Sequence, residues 1–579
     1  MRRSSCQSLR ECHGLVVERA SRAHGKRSKG RCNAVARERP PGPPALPLVG
    51  NLLQVGMGKA TGFGPQPHVV LRDLAGTYGE VMQVQMGSGE PWVVLSSPDM
   101  VHEAFLQRGA DFSGRPMVSS MSVSSGGGKG FAGNRLTPAL KELRREAFAN
   151  LFGAAQLEAS HRLLASEARA ISAHLLASEA PVKGESHTRE RGVLIRPALR
   201  QGVTNMVLLY VFGSRVAFAT EGPESRDCPL SAELSQVVEE IWGILTDTGT
   251  TLYDMLAPAA SDELTSVVYQ PLRALVQRRN SILRQLIHQH RQQRRSQHQS
   301  QHRHMRSSDP GTSTGGRAQQ QKYMIDILLE GKFSDEEILY VLVDMFVAGV
   351  NTVSSTMEWM LLLTAKHRDI QRRARIELSR AASLAPGCTL KDAPFVGALL
   401  KEVLRIKQPL LLPRQAVRDT TVGGYHVPEG TIVYANNYAL THNPKWWVRP
   451  EEFRPTRFLQ EESGLHHTCG STGTAQANRS SACDDRKSNS SRKVVSNQAA
   501  EACKFIPFSI GQRVCPGARL AEMQLETLAV HMLQNMVWEP VSEDGLVGVL
   551  GGLRSVDLRE EYSLTLMPAV SQQLRCMQV

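Results

Sequence analysis

One short segment constrains this chain more than any other: Phe508-Ser509-Ile510-Gly511-Gln512-Arg513-Val514-Cys515-Pro516-Gly517. A single cysteine stands among two glycines, an aromatic residue and an arginine, and from Ala518 to Leu533 apolar residues recur with helical spacing. That order reads as a loop presenting one thiolate to a metal at the start of a helix, where a negative sulfur is electrostatically favoured. Gly511 permits a backbone bend closed to residues with a Cβ, and Gly517 lets the helix begin close against a flat cofactor. Phe508 roofs the sulfur against water, and Arg513 offers a guanidinium to a cofactor carboxylate. The bland alternative is a buried structural cysteine beside a turn.

The 579 residues and the formal charge of +13 suggest at first a multidomain nucleic-acid binder. The charge is local, however. Residues 1–38 carry ten Lys/Arg against three Glu, and Arg284 to Arg306 adds six Arg and no acid. These two segments account for the whole excess, so binding of nucleic acid is not supported. Ten scattered cysteines without a C-x-x-C pair argue against a disulfide scaffold and for a reducing compartment. No stretch approaches the roughly 20 apolar residues that span a bilayer.

Hydrophobic patterning then runs without a break, which fits one catalytic domain over residues 39–575. Residues 1–38 read as a transit peptide or a disordered basic tail. Two low-complexity insertions, 284–322 and 463–502, read as exposed disordered loops, the first despite its histidines. Arg39-Pro40-Pro41-Gly42-Pro43-Pro44 reads as a stiff extended spacer. Tyr78 to Ser97 reads as strands, with Trp92 to Leu95 the buried one, and Asp99 to Arg108 as a helix. The run Ser125-Gly126-Gly127-Gly128-Lys129-Gly130 lacks the Ser/Thr after Lys that a phosphate loop needs, and reads as a flexible loop. Ile195 to Val216 and Asp335 to Ala365 are helical, and the Ala348-Gly349 pair opens space beside the second helix and loosens one turn. Glu402 and Arg405 share a helical face.

The Phe508 to Gly517 segment resembles the cofactor loop of cytochromes P450, Phe-x-x-Gly-x-Arg-x-Cys-x-Gly, with every fixed position present. The resemblance implies a mainly α (α+β) fold, a large helical domain with a small β-rich N-terminal subdomain, around haem b. Cys515 would be the iron ligand, with Phe508, Gly511, Arg513 and Gly517 about the haem. Arg144 matches an arginine that touches a haem propionate, while Leu140 stands where the family has Trp; Arg414 occupies a second propionate position. Ala348 to Thr352 matches the distal-face segment, Thr352 and Asn351 being its catalytic pair, although Asn351 replaces an acid and an amide does not exchange protons near neutral pH. Glu402, Arg405 and Arg457, the last within Pro450-Glu451-Glu452-Phe453-Arg454-Pro455-Thr456-Arg457-Phe458, match a structural Glu-Arg-Arg triad.

The implied function is a haem-thiolate monooxygenase inserting one oxygen atom of O2 into a small lipophilic or aromatic substrate. Electrons would come from NADPH through a separate NADPH-cytochrome P450 reductase, or a ferredoxin in an organelle, with Lys504 and Arg519 as candidate docking contacts. Gly423-Gly424-Tyr425, Asn443-Pro444 and Pro450 to Pro455 resemble plant-type enzymes, particularly those hydroxylating cinnamate-like phenylpropanoids. The alternatives are hydroxylation of a terpenoid, steroid or fatty acid, or a haem-binding protein without turnover. The family implies the endoplasmic reticulum membrane, although no anchor is visible; a plastid or mitochondrion is the other expectation.

Overall fold

The computed structural model describes residues 39–56, 66–133, 136–179, 192–221, 228–256, 266–307, 322–331, 333–384, 390–409, 412–460, 500–541, 556–562 and 566–578. The basic segment 1–38 and nearly all of the 463–502 insertion lie outside them.

The helix Asp335–Lys366 is the axis of the molecule. Ser334 caps it, its hydroxyl accepting from the Glu337 N–H while the Glu337 carboxylate accepts from the Ser334 N–H, a reciprocal arrangement that satisfies two otherwise orphaned donors. Asp335, Glu336 and Glu337 add negative charge where the helix dipole favours it. Apolar residues surround nearly the whole circumference, so the helix is buried among others: Ile195–Phe212, Ala154–Glu179, Pro394–Ile406 and Ala518–Gln534 share its core. Contrary to the sequence expectation that no stretch could span a bilayer, this helix is long and apolar enough to do so, but 67% of its most apolar stretch is buried in the protein, as expected of a core helix.

A second, smaller core lies under a four-stranded sheet. Val81–Val84 pairs antiparallel with Trp92–Leu95, which runs parallel to Ile432–Ala435 with Val93 opposite Val433; Arg414–Gln415 closes the far edge. Early and late chain therefore meet in one sheet, and the late edge strand carries Arg414. Within that second core, Pro98–His102 continues into a π-helical turn, Glu103–Gln107. The Phe105 ring lies 3.7 Å from the Arg414 guanidinium carbon, and its carbonyl abuts Gly511.

The sequence expectation fails at residues 284–307. They extend a helix, Gln270–Ser307, rather than forming a loop; residues 308–321 lie outside the described set. Composition misled, because Arg and Gln are good helix formers and the segment lacks Gly and Pro. Ion contacts of Arg291 with Asp335, Arg294 with Glu330 and His290 with Asp326 tie it to the core. The Ala348-Gly349 pair also leaves the central helix continuous, without a loosened turn.

Candidate active site

The loop from Phe508 to Gly517 is held by short-range geometry. The Cys515 N–H donates to the Phe508 carbonyl at 2.8 Å, closing the loop around the sulfur. Ser509 (φ 60°) and Gly511 (φ 65°) both adopt left-handed backbone. At Gly511 this is obligatory on a second count, since a Cβ there would sit 2.2 Å from the Phe105 carbonyl oxygen. A Cβ on Gly517 would meet nothing within 4 Å, so the start of helix Ala518–Gln534 faces open space. Cys515 has accessible surface of its own while protein surrounds it on nearly every side, so the sulfur opens onto an internal space. Burial pushes its thiol up, and the Gly517 N–H and the Arg144 charge act the other way.

Around this space converge four arginines from four parts of the chain. Arg513 donates to the carbonyls of Ser113 (2.8 Å) and Phe131 (3.4 Å). Arg144, on helix Pro138–Leu151, donates to the same Phe131 carbonyl at 3.2 Å. Arg414, fully buried, donates to Ser509 Oγ and the Ile510 carbonyl. Arg115 donates to the carbonyls of Leu412 and Pro413 at 2.9 and 2.7 Å. Among the described residues, Arg115, Arg144 and Arg414 form no ion pair with a carboxylate, and Arg115 Nε, Arg414 Nε and Arg414 Nη1 are buried without a hydrogen-bond partner.

The electrostatic result is mutual strain. Burial, then Arg144, lowers Arg115 to about 10; burial, then Arg115 and Arg144, lowers Arg513 to about 9; Arg414 lies well below its usual range through burial, Arg115 and Arg513. Buried donors without acceptors and charges without counter-charges define a site for a dianion. An iron porphyrin bearing two carboxylates fits both this cradle and the cysteine beneath it. Arg115 was missed in the sequence. Its only signal was an arginine isolated in the otherwise weakly polar run Phe112-Ser113-Gly114-Arg115-Pro116-Met117-Val118.

On the central helix the structure separates two expected partners. Ala348 is exposed in mid-helix and Thr352 partly so, marking where the helix borders the internal space, whereas Asn351 is 1% exposed. The Thr352 hydroxyl donates to the Ala348 carbonyl at 2.8 Å. Both polar atoms of the Asn351 amide are buried without a partner.

Behind the loop, Glu402 and Arg405 have no exposed surface and Arg457 little. Arg405 grips the Glu402 carboxylate with two bonds of 2.8 and 2.9 Å, and Arg457 Nε adds one of 3.1 Å. The backbone N–H of Arg454 also donates to it. Arg405 and Arg457 extend to the carbonyls of Thr441, Val448 and Arg449, stitching residues 441–457 to helix Pro394–Ile406. Lys504 departs from expectation: it is buried, 5.1 Å from the Trp447 ring centre and hydrogen-bonded to Glu501, so it presents no docking charge.

Comparisons with known proteins agree with this geometry. A family model described as cytochrome P450 matches residues 40–552. Carnosic acid synthase of Rosmarinus officinalis is 25% identical over 86% of this chain and 86% of its own. Trans-cinnamate 4-monooxygenase of Zinnia elegans is 25% identical over 92% and 93%, and steroid 17-alpha-hydroxylase/17,20 lyase of Gallus gallus 26% over 89% and 89%. A solved zebra fish cytochrome P450 with abiraterone has a TM-score of 0.62 at 23% identity, covering 89% of this chain and 99% of that one, a likeness of fold. A family match that spans both the sheet and the thiolate loop, on a structure whose cysteine and arginines face one internal space, places this chain in the cytochrome P450 family, as an oxidoreductase of the monooxygenase kind.

Proposed function

We propose that the protein is a haem-thiolate monooxygenase hydroxylating a small aromatic acid of the cinnamate-like phenylpropanoid class. The observation that carries the enzyme reading is the convergence of Cys515 with Arg115, Arg144, Arg414 and Arg513 on one space. The arginines would hold the haem carboxylates and Cys515 its iron; the bound haem supplies the reductive activation of O2 with electrons from NADPH through a separate reductase. Thr352 borders the space and holds a hydroxyl proton against the Ala348 carbonyl, from which it can turn to donate. Asn351 is 1% exposed with both amide atoms unpartnered, and an amide does not exchange protons near neutral pH, so the proton role falls to Thr352. The substrate class rests on the motifs Gly423-Gly424-Tyr425 and Pro450 to Pro455, together with the similarity to the Zinnia enzyme over most of both chains.

The test is titration of purified, haem-loaded protein with trans-cinnamate, followed by haem absorption. A saturable shift to high spin, with a hydroxylated product once a reductase is added, supports the reading. An absent shift, in a protein whose reduced carbon monoxide complex shows thiolate ligation, removes cinnamate. The similar identity to relatives named for carnosic acid and for steroids, 25% and 26%, favours a terpenoid or steroid substrate in its place.

For location, the reading is the endoplasmic reticulum membrane. Leu46, Leu48 and Leu53 are 55%, 80% and 69% exposed close to the turn that follows Val84, a patch suited to a lipid surface. Flotation with phospholipid vesicles, lost on replacing all three by Ser, tests it.

A further inference from the structure

The glycine-rich run at 125–130, which the reaction does not by itself require, is docked along one face of the central helix. Glu336, Tyr340 and Asp344 stand at successive i, i+4 positions and each receives part of it. Lys129 Nζ lies 2.7 Å from Glu336 Oε1 and 5.8 Å from the Tyr340 ring centre. A Cβ on Gly126 would overlap the Tyr340 hydroxyl, and one on Gly130 would sit 2.5 Å from Asp344 Oδ2. Asp344 Oδ2 alone accepts the N–H groups of both Phe131 (2.5 Å) and Ala132 (3.1 Å). On its other side, the Phe131 carbonyl accepts from Arg144 and Arg513. One peptide is thus held by the central helix through its neighbouring N–H and by two site arginines through its carbonyl.

We propose that Asp344 is a positioning residue: by fixing the Phe131 peptide between the central helix and Arg144 and Arg513, it sets the grip of the arginine cradle on the haem carboxylates. This rests on the haem-thiolate reading. The grip carries a pH dependence whose sign follows from the surroundings. Burial pushes the Asp344 carboxyl up from 3.8 to about 6, against the two backbone N–H groups and the charges of Arg144 and Arg279. The charged groups acting on it are Arg144 on helix Pro138–Leu151 and Arg279 on helix Gln270–Ser307; Tyr340 and Glu336, one and two i, i+4 steps away on its own helix, instead meet Lys129 of the loop. A carboxyl whose pKa is higher docked than undocked favours the docked loop when protonated, so the clamp is tightest below pH 3.8, loosens by up to about 100-fold across the window from about 4 to 6, and is level above it. Both accepted bonds use Oδ2, which leaves Oδ1 for the proton.

The experiment uses haem-loaded protein, with haem release captured by excess apomyoglobin from pH 5 to 8 and hydrogen exchange of residues 125–133 measured in the same variants. Release from the unaltered protein should quicken about tenfold between pH 5 and just above 6 and stay level from there to 8. Asp344→Asn keeps one oxygen for both N–H groups and no charge, and should release slowly with no step near pH 6. Asp344→Ala should release about tenfold faster or more at every pH, the loss of bonds to a charged acceptor, and should expose residues 125–133 to exchange. Gly130→Ala, which displaces the carboxylate sterically, should copy Asp344→Ala. Release and exchange in Asp344→Ala equal to the unaltered protein, or a pH step persisting in Asp344→Asn, overturns the proposal. A missing thiolate band in the reduced carbon monoxide complex of the unaltered protein overturns the haem-thiolate reading instead, while loop exchange still reports the clamp.

Discussion

Replacing Arg115 by Met should affect the haem-free and haem-loaded proteins unequally. Burial and Arg144 hold the Arg115 guanidinium at about 10 rather than 12.5. At 1.36 kcal/mol per unit, its charge costs the haem-free fold about 3 kcal/mol. Removing it also forfeits two bonds from a charged donor, to the carbonyls of Leu412 and Pro413, at about 1.5 kcal/mol each. The two effects nearly cancel, so Arg115→Met without haem should lie within about 1 kcal/mol of the unaltered protein. With haem bound, the relief disappears because a carboxylate neutralises the guanidinium, and a charge-assisted bond is lost as well. Together these are about 4.5–6 kcal/mol, or a haem affinity weaker on the order of 1,000- to 10,000-fold. Guanidinium chloride unfolding without haem, beside haem titration, measures both, and Arg115→Lys, which keeps the charge, is the control. An Arg115→Met protein that is markedly less stable without haem, or binds haem with unchanged affinity, would refute the reasoning that these arginines form an incomplete ionic site.

Glu402→Gln should destabilise the fold by about 3–5 kcal/mol in denaturant unfolding, because it leaves Arg405 and Arg457 buried without a counter-charge. Burial pushes Glu560 up, but bonds to His68 and Lys407 outweigh it and hold this carboxyl at about 2 instead of 4.5. Its stabilisation, about 3 kcal/mol, is therefore complete above pH 4.5 and lost as pH falls toward 2; Glu560→Gln should flatten that part of the acid unfolding curve. Asn351→Leu, which removes two buried unpaired atoms, should raise the unfolding midpoint in proportion to about 1–3 kcal/mol; a lower midpoint would mean that water fills the amide's hydrogen bonds.

Much of the site was legible because its parts are written in short stretches. The loop from Phe508 to Gly517 keeps its spacing regardless of what surrounds it, and Glu402 and Arg405 sit one turn apart on a helix with clear periodicity. What failed depended on contacts between distant segments. Arg115 becomes a site residue only because residues 412–414 and 513 fold against it, and no local pattern separates it from a surface arginine. Lys504 looked exposed until Trp447, 57 positions earlier, came to lie beside it. At 284–307 the polar composition points to a loop, but helix propensity and ion contacts with Asp326, Glu330 and Asp335 outweigh it.

Charge balance explains why one buried ionic assembly is a binding site and two others are not. Glu560 meets Lys407 and His68, and Glu402 meets two arginines whose remaining donors reach backbone carbonyls, so each assembly is satisfied from within the chain. Among the described residues, Arg115, Arg144 and Arg414 form no ion pair with a carboxylate; Asp344, whose charge acts on Arg144, spends its bonded oxygen on the Phe131 and Ala132 N–H groups. A fold that buries uncompensated positive charge beside an accessible thiol is stable in proportion to what supplies the missing negative charge. On the proposed haem-thiolate reading, haem binding and folding would be coupled in this chain, and the coupling would pass through Arg115, Arg144 and Arg414 as well as through the cysteine.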